Sequence, residues 1–459
     1  MTRFRQLFQG GYSDLIRNVG SRLGALIALA IATFAVARGG GPAAVGVYVL
    51  LRVLPSLLGV MISLGLPGSI TYFVAGEHRG DRRLPFTVLS IAFAGGITGA
   101  ALWLAASPVF GPKLFAGLPH ALLLVASLLV VTRVLVATAK SCSQGSDDLP
   151  GANRVIFSEE LMFLPMYGIL MAAGVGGYTA VVAGLILADA ATLTLAWSRL
   201  VRRGFFRGAA RPSKRLARAI ASYGVRAQTG GVISLLNLRL DFILLTLLTG
   251  PAVLGVYAIA SKFAELVKIP GMSMTYVLYP RFAKAGARKA PGWARSLVLK
   301  AGLATAVLVA PLWLLAGFVI PTVYGAPFEG AVLPAQIILL GLILNGVGAV
   351  ITALLYGIGR PGLNSLAMGA GLLVTIVLNL LLIPRFHETG AAIASAVAYT
   401  VTTLVLIRFL IVTSRATEGI ATADPPVVLS RPGLRSSEVP PDGRPAHLAP
   451  ASLAESRGA

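Results

Sequence analysis

The segment GPAAVGVY at residues 41–48 recurs as GPAVLGVY at residues 250–257, with six of eight positions identical. A second pair repeats at nearly the same offset: PGAN at residues 150–153 returns as PGLN at residues 361–364. The offsets are 209 and 211 residues. The chain therefore consists of two halves of related sequence, and this duplication is the first guide to its fold.

The composition predicts that most of the chain lies in a membrane. Hydrophobic residues make up 56% of the 459 residues, and only 12% are charged. A soluble domain carries roughly 25% charged residues, so this chain lacks the charge that a water-exposed surface needs. Runs of about 20 apolar residues are long enough to cross the ~30 Å hydrocarbon core of a bilayer. Twelve such runs are predicted, at 15–37, 44–73, 86–107, 120–141, 155–174, 178–200, 220–248, 252–280, 297–319, 333–357, 362–383 and 390–412.

The repeat fits these apolar runs. A shift of 209 residues places each of the first six runs on one of the last six. Because each half has six spans, both halves enter the membrane from the same side, as a parallel repeat does. We therefore predict an all-α fold of twelve transmembrane helices, arranged as two parallel six-helix lobes around a central cavity. A duplicated scaffold without a transport role is the alternative.

Five regions follow from these assignments: a cytoplasmic N-terminal segment (1–14), an N-terminal lobe (15–200), a basic cytoplasmic linker (201–219), a C-terminal lobe (220–412) and a tail (413–459). The tail is rich in Pro, Ser, Ala and Arg and has no run that could span a membrane, so we expect a disordered cytoplasmic segment. The first apolar run is interpreted as a helix instead of a cleaved signal peptide, since the repeat requires it.

The basic charge sets the predicted orientation. The chain has 39 Lys and Arg against 17 Asp and Glu, a net charge of +22. If the N-terminus is cytoplasmic, 30 of the basic residues fall in cytoplasmic segments and three in outer segments. The positive-inside rule then predicts that both termini are cytoplasmic. This distribution explains the charge without a nucleic-acid partner, and the sequence has no motif for one.

Sequence motifs for catalysis are missing. The chain has no phosphate-binding loop of the Gly-x4-Gly-Lys-Ser/Thr type, no His-Glu-x-x-His and no Gly-x-Ser-x-Gly. Its single cysteine, Cys142, excludes disulfides within the chain and cysteine-based metal sites. Asp147 and Asp148 resemble a metal-binding pair, but no further carboxylate lies nearby in sequence, so we interpret them as a solvated loop. We expect no catalytic residue, no metal and no cofactor.

Charged residues inside the apolar runs are the candidate site. Such residues are costly in lipid and usually face a bundle interior or a wet cavity. The basic candidates for substrate binding are Arg52, Arg133, Arg239 and Lys262. The acidic candidates, for counter-charge or ion coupling, are Asp189, Asp241 and Glu265. With Lys268, the count is five bases to three acids, which favours an anionic substrate.

Two interpretations of these charges remain open. In the first, the cations line a cavity for an anionic headgroup such as a diphosphate, which the planar fork of arginine suits. In the second, the charges pair within the protein, as in Arg239 with Glu265 or Lys262 with Asp241, and hold the helices together.

Arg52 and Asp189 bear on the choice between these interpretations. Arg52 favours the cavity because no acid lies near it in sequence. Asp189 is either a counter-charge to Arg52 or Arg133, or a ligand for a coupling ion.

Several short segments, in order along the chain, resemble those of the polysaccharide-biosynthesis flippases. The first group is residues 46–48 and 63–69. The second is Asp241 with residues 254–257 and 279–280, and the third is residues 383–386 and 389–394. The resemblance covers about residues 10–412. The wider superfamily includes the multidrug and toxin extrusion pumps and the lipid II flippases.

The resemblance implies a transporter with two six-helix lobes in a bacterial plasma (inner) membrane, which moves an undecaprenyl-diphosphate-linked oligosaccharide outward by alternating access. Implied partners are this lipid-linked oligosaccharide, membrane lipids and polysaccharide assembly proteins. Lipid II flippases carry two further helices, which residues 413–459 do not supply, so lipid II itself is disfavoured as the substrate. The alternatives are a cation-coupled multidrug exporter of the same superfamily and a membrane enzyme of glycan assembly.

Overall fold

The computed structural model describes residues 2–422, apart from 64, 77 and 79. Side chains are described over that range, apart from 2–19, 226–235, 237–238, 287–288 and 416–422. Every regular element in this part of the chain is helical, which confirms the predicted all-α class. The predicted disordered tail lies outside the described residues from 423 onward; its first residues, 413–422, continue the last helix.

The described residues form fourteen α-helices and one short 3-10 helix. In the first half they are α1 (Thr2–Ile62), α2 (Leu66–Ala75), α3 (Leu84–Leu114), α4 (His120–Val125), α5 (Leu128–Gly145), α6 (Leu149–Leu161), α7 (Phe163–Ala172) and α8 (Gly177–Arg202). In the second half they are α9 (Lys214–Thr249), α10 (Pro251–Glu265), α11 (Lys268–Tyr324), the 3-10 helix (Ala326–Ala331), α12 (Val332–Gly341), α13 (Asn345–Gly357) and α14 (Pro361–Thr422).

The helices have the length and composition of a multi-pass membrane protein. Within the described residues, seven helical segments are long and apolar enough to cross a membrane, and the bent pair Ala326–Gly341 and Asn345–Gly357 makes an eighth candidate. Three long helices also contain a break in backbone conformation, at Gly41 in α1, Gly286 in α11 and His387 in α14. Each of these three is therefore two helices in succession.

The repeated segment begins with the same turn in both halves. Gly41 has φ 67° and ψ −167°, and Gly250 has φ 92° and ψ 173°. This region is strained for any residue with a Cβ, and glycine adopts it at little cost. The next residue is Pro42 or Pro251, whose fixed φ suits the first turn of a helix. The Gly-Pro pair thus ends one helix and starts the next.

The two copies of the segment meet each other. A Cβ placed on Gly46 would lie 1.8 Å from the carbonyl oxygen of Pro251, and one on Gly255 would lie 1.9 Å from that of Pro42. At both positions the backbone of one half touches the backbone of the other, and no side chain fits between them. The contact explains why glycine recurs at the sixth position of each copy.

The buried core is shared by the halves at this end and divided at the other. The largest buried cluster contains residues of both halves, among them Tyr48, Phe163, Phe242 and Tyr257. Two further clusters both lie at the end of the bundle opposite Gly41 and Gly250. One draws its buried members from residues 66–220 alone, and the other from 278–410 alone. The halves are thus packed together at the Gly41 and Gly250 end, and at the opposite end each has its own core, with Leu216 and Ile220 at the start of α9 packed into that of the first half.

The structure corrects the interpretation of Asp147 and Asp148 as a solvated loop. Asp147 is exposed, but Asp148 is only 1% exposed. Asp148 caps α6 by accepting from the Gly151 amide, and it accepts from Arg199 Nε at 2.7 Å and Nη2 at 2.8 Å, and from Arg203 Nη1 at 3.1 Å. The hydrogen bonds from Arg199 hold the pKa of the Asp148 carboxyl below its ordinary value, although burial acts in the opposite direction.

The Gly46 contact leads to a stability prediction. Gly46→Ala places a methyl group against the Pro251 carbonyl, so the two backbones must separate, at a cost of about 1–3 kcal/mol for overpacking. Thermal unfolding of the purified protein in detergent measures this loss. Gly255→Ala is expected to behave alike, and the double variant to lose less than the sum, because either methyl group already separates the halves.

Gly95→Ala is the matched control, since no neighbouring heavy atom lies within 4 Å of a Cβ there. It is expected to keep or slightly raise the melting temperature, because alanine favours a helix interior. A wild-type melting temperature in Gly46→Ala would contradict the contact.

Asp148→Asn is expected to lower the free energy of unfolding by about 2–3 kcal/mol, because it weakens several charged hydrogen bonds at a buried group. The native-state pKa is depressed, so the stabilisation is present above the unfolded-state pKa of about 3.9 and is lost as the pH falls through the native value. The gap between wild type and variant should therefore close in acid. The exposed neighbour provides the control: Asp147→Asn should change stability little at either pH. A gap independent of pH would rule out the ion pair as its cause.

Candidate functional site

The charged candidates of the two halves lie at similar depth along their helices. Arg52 lies 11 residues after the Gly41 break, and Lys262 lies 12 residues after Gly250. At 1.5 Å per residue, both are roughly 17 Å from the end at which the halves touch. Asp189 likewise lies near the middle of α8. The middle of the bundle therefore holds charges from both halves.

Arg52 has an acidic partner that the sequence analysis missed. Its Nη2 donates to both carboxylate oxygens of Glu160, and the two side chains are 13% and 20% exposed. The guanidinium also lies 5.5 Å from the centre of the Tyr48 ring, with a long contact of 3.5 Å from Nη1 to the Tyr48 hydroxyl. Glu160 lies within the apolar run 155–174, so its position was the available signal.

Glu159, the residue before Glu160, forms an ion pair with Lys140 at 3.0 Å. Adding Glu159 and Glu160 gives five acids against the five bases counted from the sequence, and Lys140 also lies within its apolar run, so the balance depends on which residues are counted. The case for an anionic substrate must therefore rest on how individual cations are placed, and not on their number.

Arg133 and Asp189 form a second buried pair. Arg133 Nε lies 2.8 Å from Oδ2 of Asp189, and the Thr132 hydroxyl donates to the same oxygen at 3.0 Å. Of the two counter-charge positions considered for Asp189, the structure thus shows the one beside Arg133. Within the described side chains, Nη2 of Arg133 is buried and has no hydrogen-bond partner.

Lys262 crosses from the second half to the first. Its Nζ donates to the Thr33 hydroxyl at 2.6 Å and lies 5.6 Å from the centre of the Tyr48 ring. Among the side chains that the structure describes, no carboxylate oxygen lies within 4.0 Å of this ammonium group, so the suggested pair with Asp241 is not formed. Arg52 and Lys262 therefore approach the same tyrosine from different halves.

Asp241 belongs to a separate hydrogen-bond group in the second half. Its carboxylate accepts from the Tyr257 hydroxyl at 2.8 Å and from the Phe242 amide at 2.9 Å. The Tyr257 hydroxyl also lies 2.9 Å from Oγ of Ser395. Tyr257 is the counterpart of Tyr48 in the repeat. The equivalent tyrosines thus contact different charged groups, Asp241 for Tyr257 and the cations Arg52 and Lys262 for Tyr48.

The remaining candidates lie near this second group. The Arg239 guanidinium lies 5.4 Å from the centre of the Phe242 ring. Glu265 is 4.0 Å from Nζ of Lys268, which donates to the Tyr399 hydroxyl at 3.0 Å. The suggested pair of Arg239 with Glu265 is not among the ion pairs of the described residues. The structure thus brings Arg52 and Lys262 together at Tyr48, while Arg239, Asp241 and Glu265 form no hydrogen bond or ion pair with either of them among the described side chains.

We call Tyr48, Arg52, Glu160 and Lys262 the central cluster. Beside it, in the first half, lies a cavity of about 170 Å³ with a mixed apolar and polar lining, which has room for several water molecules. Its charged and hydroxyl-bearing lining residues are Ser56, Ser63, Arg133, Thr138, Lys140 and Glu159. The described residues contain no group of three or more His, Cys, Asp or Glu arranged to hold a metal.

Two known proteins from archaea are related in sequence. An uncharacterized membrane protein, MJ1068, of Methanocaldococcus jannaschii is 28% identical over 206 residues, 43% of this chain and 40% of the relative. The probable low-salt glycan biosynthesis flippase Agl15 of Haloferax volcanii is 20% identical over 204 residues, 44% of this chain and 43% of the relative. Each match thus spans less than half the length of the relative.

Solved structures show the fold over nearly the whole chain. A multidrug resistance MATE family transporter of the MOP superfamily, in its inward-facing conformation, has a TM-score of 0.67 at 15% identity, covering 88% of this chain and 95% of the other. The lipid II flippase MurJ, in an inward closed conformation, has a TM-score of 0.64 at 14% identity, covering 89% and 91%.

The sequence also matches the model of a protein family directly. That model, described as polysaccharide biosynthesis protein, aligns with residues 7–285, which is more than half of the chain. The match includes the first half, the linker, and α10 with Lys262. This multi-pass helical membrane protein belongs to the polysaccharide biosynthesis protein family.

Proposed function

We propose that the protein is a flippase, without catalytic activity or cofactor, for cell-surface polysaccharide synthesis. Its substrate is a polyprenyl-diphosphate-linked oligosaccharide, which it moves from the inner to the outer leaflet of a bacterial plasma membrane by alternating access. The observation that carries this proposal is the meeting of Arg52 and Lys262, one from each half, over Tyr48 in the middle of the bundle. Family membership and the flippases among the related proteins support it.

The proposed membrane arrangement has twelve spans. The breaks at Gly41, Gly286 and His387 divide three long helices into six pieces, of which two form a span together with α2 or α10. The helices α3, α8 and α9 add three spans, and each of the pairs α4 with α5, α6 with α7 and α12 with α13 adds one. The lobes then correspond to residues 15–200 and 220–412, with the basic linker 201–219 and both termini in the cytoplasm. In this orientation, the end at which Gly46 and Gly255 touch the other half faces outward.

The packing supports an inward-facing state. The halves share a core at the outer end and have separate cores toward the cytoplasm. A cavity between them is then sealed outside and accessible from the inner leaflet, where a lipid-linked oligosaccharide is made available. The diphosphate enters between the lobes and reaches the level of Arg52 and Lys262, while the polyprenyl chain remains in lipid.

The central cluster suits a diphosphate because it contains two cations, Lys262 and Arg52, whose contacts within the protein differ. Lys262 contacts a hydroxyl and a ring, so a phosphate can bind it without displacing a carboxylate among the described side chains. Arg52 is held by Glu160, and the planar fork that binds this carboxylate also matches phosphate oxygens. Glu160 thus occupies the anion position on Arg52 until the diphosphate replaces it.

A cation-coupled multidrug exporter is the second candidate, and a specific observation favours it. Asp241 is buried with Tyr257 and Ser395, and among the described side chains no basic group forms a hydrogen bond with these three residues. A buried acid of this kind can bind a proton or a cation. The shared fold of the MATE family transporter is compatible with both candidates.

The arrangement predicts the side on which each loop lies. Reporter fusions after Gly204 and Lys289 should report the cytoplasm, and fusions near Gly177 and Gly325 should report the outside. Gly204 follows the end of α8, and Lys289 follows the Gly286 break. Gly177 begins α8, and Gly325 follows the end of α11. If fusions at Gly204 and Gly325 report the same side, the arrangement of two six-span lobes is wrong.

The role of Arg52 predicts a specific pattern of export and stability. Arg52→Gln combined with Glu160→Gln removes both charges together, so the fold is expected to remain stable while export is lost. Glu160→Gln alone leaves Arg52 free, and is expected to retain more diphosphate-linked lipid during purification. The measurements are export in cells, thermal unfolding in detergent, and mass spectrometry of the co-purified lipid.

The pair Asp148 and Arg199 provides the matched control, because it is a buried ion pair at the cytoplasmic end, away from the central cluster. Asp148→Asn with Arg199→Gln is expected to cost some stability but to retain export and bound lipid. Wild-type export in the Arg52 and Glu160 double variant would make that pair structural and remove it from the substrate site. Drug efflux without any bound diphosphate-linked lipid would favour the second candidate.

A further inference from the structure

We infer that a second cavity, between the turn before α3 and the linker at 203–213, binds the phosphate of an anionic phospholipid of the inner leaflet. This site lies at the end of the first half opposite the Gly46 contact, away from the central cluster. The inference rests on the proposed function only for the orientation that places this end in the cytoplasm. The ligand is a resident lipid and not the transported one.

The linker is a folded part of the first half and is held against α3. The Ala210 amide donates to the carbonyl oxygen of Arg82 at 2.7 Å, and the Ser213 amide donates to the Thr87 hydroxyl at 2.9 Å. Between α8 and these anchors the chain turns at Gly208, which has φ 70°. The backbone that carries the cations of the linker is therefore fixed relative to the turn before α3.

The cavity that results has a volume of about 250 Å³ and has arginines on two sides. Arg82 comes from the turn before α3 and Arg207 from the linker. The acid in its lining, Asp81, is already engaged: its carboxylate accepts from the Arg83 amide at 2.8 Å and lies 3.9 Å from Nδ1 of His78. Two arginines in the lining of one cavity suit a phosphate, because a guanidinium group pairs with phosphate oxygens.

The surroundings add to the positive potential. Asp148, the buried acid at this end, is bound by Arg199 and Arg203. Other cations at this end of the first half have exposed side chains, and they are Arg83, Arg202, Arg211, Lys214, Arg215 and Arg218. Basic pockets between helices on the cytoplasmic side are a known mode of binding anionic lipid headgroups.

An apolar surface next to the cavity favours a lipid over free phosphate. Phe206 lies 5.5 Å from Phe86 and 5.9 Å from Trp197 between ring centres. Phe86 is 40% exposed and Val201 is 58% exposed. Aromatic side chains at this level are typical of the membrane interface, where they contact the upper part of acyl chains. A phosphate in the cavity thus has apolar surface within reach for its chains.

The test is native mass spectrometry of the full-length protein in a neutral detergent, titrated with phosphatidylglycerol or with phosphatidylcholine. The wild type is expected to bind phosphatidylglycerol preferentially. Arg82→Ala with Arg207→Ala should lower the affinity for the first bound phosphatidylglycerol by about tenfold, since each cation near an anionic lipid adds to the free energy of binding. Arg202→Ala with Arg218→Ala removes the same charge outside the cavity lining and should leave that adduct in place.

Three results would overturn the inference. Equal binding of the two lipids by the wild type would exclude a headgroup site. Equal weakening by both double variants would assign the effect to the general basic field. Displacement of phosphatidylglycerol by inorganic phosphate alone would make it a free-anion site. None of these measurements involves the transported substrate, so a failed export proposal would appear in the Arg52 experiments and not here.

Discussion

The paired contact between Gly46 and the Pro251 carbonyl, and between Gly255 and the Pro42 carbonyl, is the constraint on which the rest of the structure depends. It brings the backbones of the two halves together at one end of the bundle. Both helices also begin from the same Gly-Pro turn, so residues equally far along them lie at the same level. Arg52 and Lys262 approach one tyrosine for this reason. A side chain at either glycine would separate the halves and move these cations apart.

The charges in the middle of the bundle are arranged so that few are isolated. Arg52 with Glu160 and Arg133 with Asp189 are ion pairs of partly or wholly buried groups, and removing one partner of such a pair is far more costly than removing both. Lys262 is held by a hydroxyl and a ring face instead. In the proposed mechanism, an incoming phosphate replaces the Glu160 carboxylate on Arg52 and adds to Lys262, which has no carboxylate to give up among the described side chains.

Much of the fold could be predicted from sequence because its signals are local or periodic. The repeat, the apolar runs and the depth of each charge need only counting along the chain. The partners of those charges could not be predicted in the same way. Lys262 meets Thr33 across 229 residues, and Asp148 meets Arg199 across 51, so both contacts are set by helix packing. Glu160 was within reach of sequence reasoning, since it lies in an apolar run beside Glu159. The choice of Arg133 over Arg52 as the partner of Asp189 was not, because both lie at the same depth.

Arg38 adds a different kind of contact at the end where the halves touch. Its guanidinium donates to the carbonyl oxygens of Thr322 and Val323, near the end of α11, and these bonds are exposed to solvent. Water can replace such hydrogen bonds with a net change of only about 0.5–1.5 kcal/mol each. The Gly46 contact likewise involves backbone surfaces without interlocking side chains. Separation of the halves at this end therefore needs water to take over these hydrogen bonds, and it also opens the apolar core that the halves share there.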